Sequence, residues 1–175
     1  SIAVSVAAEG LVRELRLPAE DDIFTAALLH DIGKLVLGQH VREALPAVEA
    51  LTKEGLSFEQ AEARELGIHH GEIGARILHR WSLPGSIVDA VRWHHDPEAA
   101  GAPARATDIV HAANVLCLMI GIGVGREGLH YTPSPAVTRR LGINPERVAS
   151  QTLQWLADLE RAFDDGHRDS SNSAA

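Results

Sequence analysis

The chain has 175 residues, 45% of them apolar and only 4% aromatic, with a formal charge of −8. This length supports one sizeable core, the Ala, Leu, Glu and Arg bias favours helix over strand, and the acidic balance opposes binding to a phosphate backbone, which needs clustered Lys and Arg. The single Cys117, inside the apolar run Val115 to Ile120, argues against a disulfide framework or a thiolate zinc site. No apolar run approaches the roughly 20 residues of a membrane span. A reducing, cytoplasmic compartment follows, with neither nucleic acid nor membrane as partner.

In chain order, Ile2 to Leu15 carries apolar residues at helical spacing. Pro18 and the acids Glu20, Asp21 and Asp22 open a second helix, whose inward stripe is Ile23, Ala26, Ala27 and His30 and which Gly38 ends. A third helix is predicted from Val41 to Lys53. Gly55 ends it, and Ser57 with Gln60 forms a capping-box pattern for a fourth, which stops at Gly67. The next helix, His69 to Trp81, puts His70, Ile73, Gly74 and Ile77 on one face; Pro84 then opens another through Ile87, Val91 and His94. Thr107 or Asp108 caps an apolar helix through Ile120, Gly121 to Pro135 reads as an irregular connection, and Asn144-Pro145 launches a last helix through Leu159. The result is one all-α domain over residues 1–163, a bundle of six to eight helices. The polar, Ser-rich tail 164–175 has the composition of a disordered segment.

Ten histidines occur in the chain. His30, His70 and His94 fall on core-facing stripes, and Asn114 shares a stripe with Val110, Cys117 and Leu118. Unpartnered buried polar groups cost roughly 1–3 kcal/mol each, so these residues must satisfy one another. Two arrangements do so: a hydrogen-bonded core, or a shared divalent ion, since imidazoles and a carboxylate suit iron, manganese, cobalt or zinc. Asp31 lies about 100° round the helix from His30 and can reach an ion at the edge of the stripe. His69 and His95 neighbour stronger candidates and can substitute for them; His40, His79, His130 and His167 read as surface or loop residues. Lys34, one turn from His30, can face the same cavity and stabilise phosphate charge, or can be a surface lysine. Gly121-Ile122-Gly123-Val124-Gly125 follows a helix and not a strand, which argues against a dinucleotide loop.

The segment Ala26 to Leu37, centred on His30-Asp31-Ile32-Gly33-Lys34, resembles the HD superfamily of metal-dependent phosphohydrolases and, within it, the HDOD (HD-related output) domains. Phe58 to Glu62, Leu66 to Gly74, Trp81 to Pro84, His94 to Pro97 and Val110 to Asn114 resemble successive landmarks of that family in the same order, so the likeness covers residues 1–123. It implies an HD-like helical bundle with metal ligands His30, Asp31, His70, His94 and His95, and iron, manganese or another transition metal as the ion. It also implies a bacterial signal-transduction module that acts through attached domains, other signalling proteins or a nucleotide. Were catalysis retained, Asp31 and Lys34 would carry it, and the substrate would be a nucleotide or cyclic dinucleotide.

Three departures favour a regulatory role over catalysis. Ser1 to Ala7 resembles the stretch that follows a Trp-x-His in the family, which places a first ligand histidine before residue 1. The chain then corresponds to the C-terminal, HD-like half of an HDOD domain and lacks its usual N-terminal helical subdomain. Asn114 stands where HD hydrolases carry their last ligand Asp. The related HD-GYP proteins, which hydrolyse cyclic di-GMP, carry Gly-Tyr-Pro after the paired His, whereas here the sequence is Asp96-Pro97-Glu98-Ala99-Ala100-Gly101.

Overall fold

The structure is a computed structural model describing residues 1–18, 21–102, 104–123 and 133–172, with side chains at all of these except 40 and 163–172. Among the described residues it is wholly helical. The elements are α1 (Ile2–Glu14), α2 (Asp21–Leu29), α3 (Ile32–His40), α4 (Leu45–Lys53) and α5 (Phe58–Leu66), followed by α6 (His70–Arg80), α7 (Gly85–Trp93), α8 (Arg105–Met119), α9 (Pro135–Leu141) and α10 (Pro145–Asn172). None of these is long and apolar enough to cross a membrane.

α8 is the axis of the fold. Every residue from Ala106 to Leu118 is buried, because α1, α2, α7, α9 and α10 surround the helix. A helix buried on all sides has no need of a polar face, which accounts for the apolar run around Cys117. Burial pushes the Cys117 thiol up to about 12, so it stays a protonated core side chain. α6 packs on α7 and α3 at one flank of this core. α4 and α5 pack chiefly on each other around a separate small cluster of Val48, Phe58 and Ala61, with α5 touching α6.

Several predicted boundaries shift. The helix expected to run from Asp21 to Gly38 divides at His30-Asp31: α2 ends at Leu29, Asp31 takes φ −99° and ψ 10°, and α3 continues past Gly38 to His40. The bundle is therefore more finely segmented than six to eight helices. Val41 to Ala44 is a turn, and α4 begins only at Leu45. At α5 the expected cap is present, with Ser57 N donating to Gln60 Oε1 at 3.2 Å and Gly67 closing the helix at φ 72°. Thr107 and Asp108 are not caps. Ala104 holds the cap position of α8, and Asp108 instead accepts two bonds from Arg140, at 2.7 and 2.6 Å.

The expected irregular stretch after Gly121 falls mostly on residues 124–132, outside the described residues, and it closes on a short helix that sequence periodicity misses. α9 starts where Ser134 Oγ accepts from Ala136 N and Val137 N, with Pro135 in the first turn. Asn144 caps α10 through its Oδ1, which accepts from Arg147 N at 2.9 Å. The α10 backbone continues through 164–172, although the composition there predicts no stable helix; residues 173–175 lie outside the described residues.

One close approach positions the site. A Cβ on Gly33 would lie 2.0 Å from the His70 carbonyl oxygen and 2.9 Å from Gly74 N, and a Cβ on Gly74 would meet Val91 and Ile32 at 2.9 and 3.3 Å. The two glycines thus let α3 and α6 cross nearly backbone to backbone. Gly33→Ala is expected to cost about 1–3 kcal/mol in urea denaturation, because the obstructing atoms are backbone and cannot swing aside. Gly38→Ala, on the same helix with open space around it, is expected to stabilise by about 0.5–1 kcal/mol.

Candidate metal centre

The break between α2 and α3 falls at His30-Asp31, and the two side chains meet at 3.2 Å. His30 ends the inward stripe of α2, where Ile23, Ala26 and Ala27 are buried. Asp31 heads α3, with Lys34 Nζ 2.8 Å from its Oδ1. His70 enters from the first turn of α6, and His94 and His95 follow the end of α7.

Asp31, His70, His94 and His95 each offer a ligand atom, and all four atoms lie within 4.8 Å of one another. Asp31 Oδ1 is 3.5 Å from His70 Nε2 and 3.9 Å from His94 Nε2, and the Nε2 atoms of His70 and His95 are 3.0 Å apart. A first-row divalent ion about 2.0–2.2 Å from each ligand would space neighbouring ligands roughly 3–4 Å apart, and these three pairs fall in that range. His30 stands at the rim of this group, its Nε2 3.2 Å from Asp31 Oδ2 and its ring edge-on to His94 at 5.0 Å.

Proton bookkeeping separates the two arrangements left open by the sequence. A carbonyl oxygen can only accept, so His30 Nδ1–H donates to Ala27 O and His94 Nδ1–H to Val91 O, each at 2.7 Å. His70 Nδ1–H donates to the Glu62 carboxylate at 2.5 Å. In a neutral ring the remaining Nε2 is then a lone pair, and all three point toward an anionic carboxylate. His30 Nε2 and His94 Nε2 are buried without a hydrogen-bond partner, and the buried Asp31 Oδ1 has the Lys34 ammonium 2.8 Å away. Acceptors facing acceptors in a buried site are costly unless a cation lies among them, so the residues present fit a divalent metal ion.

The electrostatics agree. Burial pushes the Asp31 carboxyl up, but His30, Lys34 and His70 outweigh burial and hold it well below the usual carboxylate range. Burial lowers His70, then Lys34 and His94 add to the effect; burial also lowers His95, with His94 and His70 adding to it. Burial, with His30 beside it, takes His94 down to about 3. Neutral imidazoles and an ionised carboxylate are the forms that bind metal.

Other predicted residues lie elsewhere. His69 caps α6 with its Nδ1 buried and unpartnered, outside the ligand group, and His79 is exposed. The side chain of His40, like His130 and that of His167, lies outside the described residues. Asn114 is buried on α8 and brings an amide to its position, not a carboxylate.

Three residues of the site escape sequence reading. Glu62 backs His70 from α5, Glu59 approaches His95 Nδ1 at 3.9 Å, and His111 on α8 donates from Nδ1 to the His94 carbonyl at 2.7 Å while its Nε2 accepts from Ser134 N at 3.0 Å. Glu62 left one legible signal: it shares the buried face of α5 with Phe58 and Ala61 at helical spacing, an odd place for an acid.

The comparisons with known proteins settle the family. Over residues 1–97 the sequence matches the HDOD domain. The chain belongs to the HDOD family. The match stops short of α8, so His111 and Asn114 lie beyond it. An uncharacterized protein of Treponema pallidum (strain Nichols) is 28% identical over 76 residues, covering 43% of this chain and 15% of that protein. A crystal structure of a "Putative phosphohydrolase" from Shewanella amazonensis SB2B superposes with a TM-score of 0.67 at 18% identity, over 87% of this HDOD chain and 56% of the other. An HDOD domain protein with unknown function from Geobacter sulfurreducens gives 0.61 at 25% identity, over 94% and 57%. The HDOD chain thus spans little more than half of either solved relative and a small part of the Treponema protein.

Metal-free protein is expected to lose stability in mild acid. The folded values of His70, His94 and His95 lie below the unfolded value of about 6.5, so the unfolded state binds more protons as pH falls and unfolding becomes easier. For His94 that window runs from about 6.5 down to about 3. Urea midpoints in EDTA should fall steadily from pH 7.5 to pH 5; a flat or rising midpoint contradicts the neutral, buried imidazoles.

Proposed function

We propose that this HDOD chain is a regulatory module of a bacterial signalling protein, cytoplasmic in location, whose His/Asp centre holds a divalent metal ion as a structural or sensory group and does not turn over substrate. The observation that carries this reading is the convergence of Asp31, His70, His94 and His95, with buried acceptors turned toward one another. Three imidazoles and one carboxylate suit iron or another transition metal better than magnesium or calcium. Asn114 supports the non-catalytic half of the proposal, since a neutral amide on α8 is a poor substitute for an anionic ligand. The output would pass to attached domains or other signalling proteins, or be set by a bound nucleotide.

Lys34 favours a second reading, a metal-dependent phosphohydrolase acting on a nucleotide or cyclic dinucleotide. Its ammonium is 2.8 Å from Asp31 and partly exposed, so it can hold the charge of an incoming phosphoryl group beside the centre. An ion held by Asp31 and the histidines would supply the positive centre that polarises a phosphoryl oxygen. Asp31 would orient that ion, and Lys34 would orient the substrate anion.

Metal analysis of the purified chain, paired with hydrolysis of bis(p-nitrophenyl) phosphate in Fe²⁺ or Mn²⁺, separates the readings. The expected result is about one ion per chain, lost in Asp31→Ala, and no turnover by the wild type. Turnover that Asp31→Ala abolishes overturns the regulatory reading in favour of the hydrolase. A chain that takes up no metal overturns the metal centre in both.

A further inference from the structure

We infer that Glu62 is a positioning residue of the metal centre, holding His70 in the one tautomer that leaves Nε2 free for a cation and so coupling the α4–α5 hairpin to the site. The inference rests on the metal-binding reading above. Glu62 is only 3% exposed, beside the small apolar cluster of Val48, Phe58 and Ala61. A carboxylate buried there costs several kcal/mol unless strong donors meet it. His70 supplies two, its backbone N–H at 2.9 Å and its Nδ1–H at 2.5 Å, both to Oε2.

The three buried rings are oriented differently. His30 and His94 donate Nδ1–H to carbonyls three residues back in their own helices, contacts that ordinary helix geometry provides. His70 has no such local acceptor. The group that orients it comes from α5, across the turn at Gly67, on a hairpin that packs mainly upon itself. An anionic partner on Nδ1–H also makes Nε2 a stronger donor to a metal, which a carbonyl does less well. Because His70 Nε2 lies 3.5 Å from Asp31 Oδ1 and 3.0 Å from His95 Nε2, moving its proton from Nδ1 to Nε2 would place an N–H in the middle of the cluster. By linkage, a cation that requires the Nδ1–H tautomer also favours the docked position of α5.

The test is a calorimetric titration of Zn²⁺ into the 175-residue chain, as wild type, Glu62→Gln, His70→Ala and the double variant. Glu62→Gln is expected to weaken Zn²⁺ binding about 10–100-fold. In the His70→Ala background the same change should cost less than about twofold, because Glu62 acts through that ring. An unchanged affinity in Glu62→Gln, or an equal loss in both backgrounds, overturns the inference and leaves the metal reading standing. No Zn²⁺ binding by the wild type overturns both. Should the variants fail to fold, imidazole ¹⁵N shifts of the wild type decide: a proton on His70 Nδ1 is expected, and a proton on Nε2 overturns the assignment.

Discussion

The crossing of α3 over α6 is the contact on which the rest of the site depends. Gly33 rests against the His70 carbonyl, and Gly74 against Ile32 and Val91, so the two backbones approach more closely than any side chain would permit. That approach brings Asp31, at the head of α3, within 3.5 Å of His70, at the head of α6. The helix break at His30-Asp31 lies at the same crossing, where the two neighbouring side chains stand 3.2 Å apart.

Once these groups meet, their protons decide what the site can be. Three Nδ1–H groups are committed outward, to Ala27, Val91 and Glu62, which leaves lone pairs directed at an ionised carboxylate. A hydrogen-bonded core would alternate donors with acceptors. Here His30, His70 and His94 turn acceptors inward, answered by His95 Nε2, 3.0 Å from His70 Nε2, and by the Lys34 ammonium beside Asp31. The fit to a cation rests on that arrangement more than on the number of histidines, which a stable core could also hold.

The C-terminal helices reach the centre through two polar ties. His111 takes the His94 carbonyl on one side and the Ser134 amide on the other, so the stretch bearing His94 and His95 is joined to the start of α9. Arg140, near the end of α9, grips Asp108 on α8 with two bonds. Trp155 of α10 lies over Gly10 of α1, where a Cβ would stand 2.2 Å from the ring. His111, Asp108, Ser134 and Arg140 lie beyond the stretch that carries the family match, yet they tie α8 to α9 and to the His94 carbonyl.

Fold class and most of the candidate ligands were legible in the sequence because both are periodic signals. Apolar residues three and four apart reveal helices, and histidines on the same stripes reveal which polar groups are carried inward. The family was legible in His30-Asp31-Ile32-Gly33-Lys34 and its ordered companions. The break at His30-Asp31, the helix at Pro135, and the roles of Glu62 and His111 were not, because each depends on a partner distant in sequence: Gly33 needs His70, Glu62 needs the His70 ring, and His111 needs the His94 carbonyl. Local pattern determined which side chains would be buried. Only tertiary packing decided which of them meet, since a buried polar atom takes its meaning from the atom it faces, and that atom belongs to another helix.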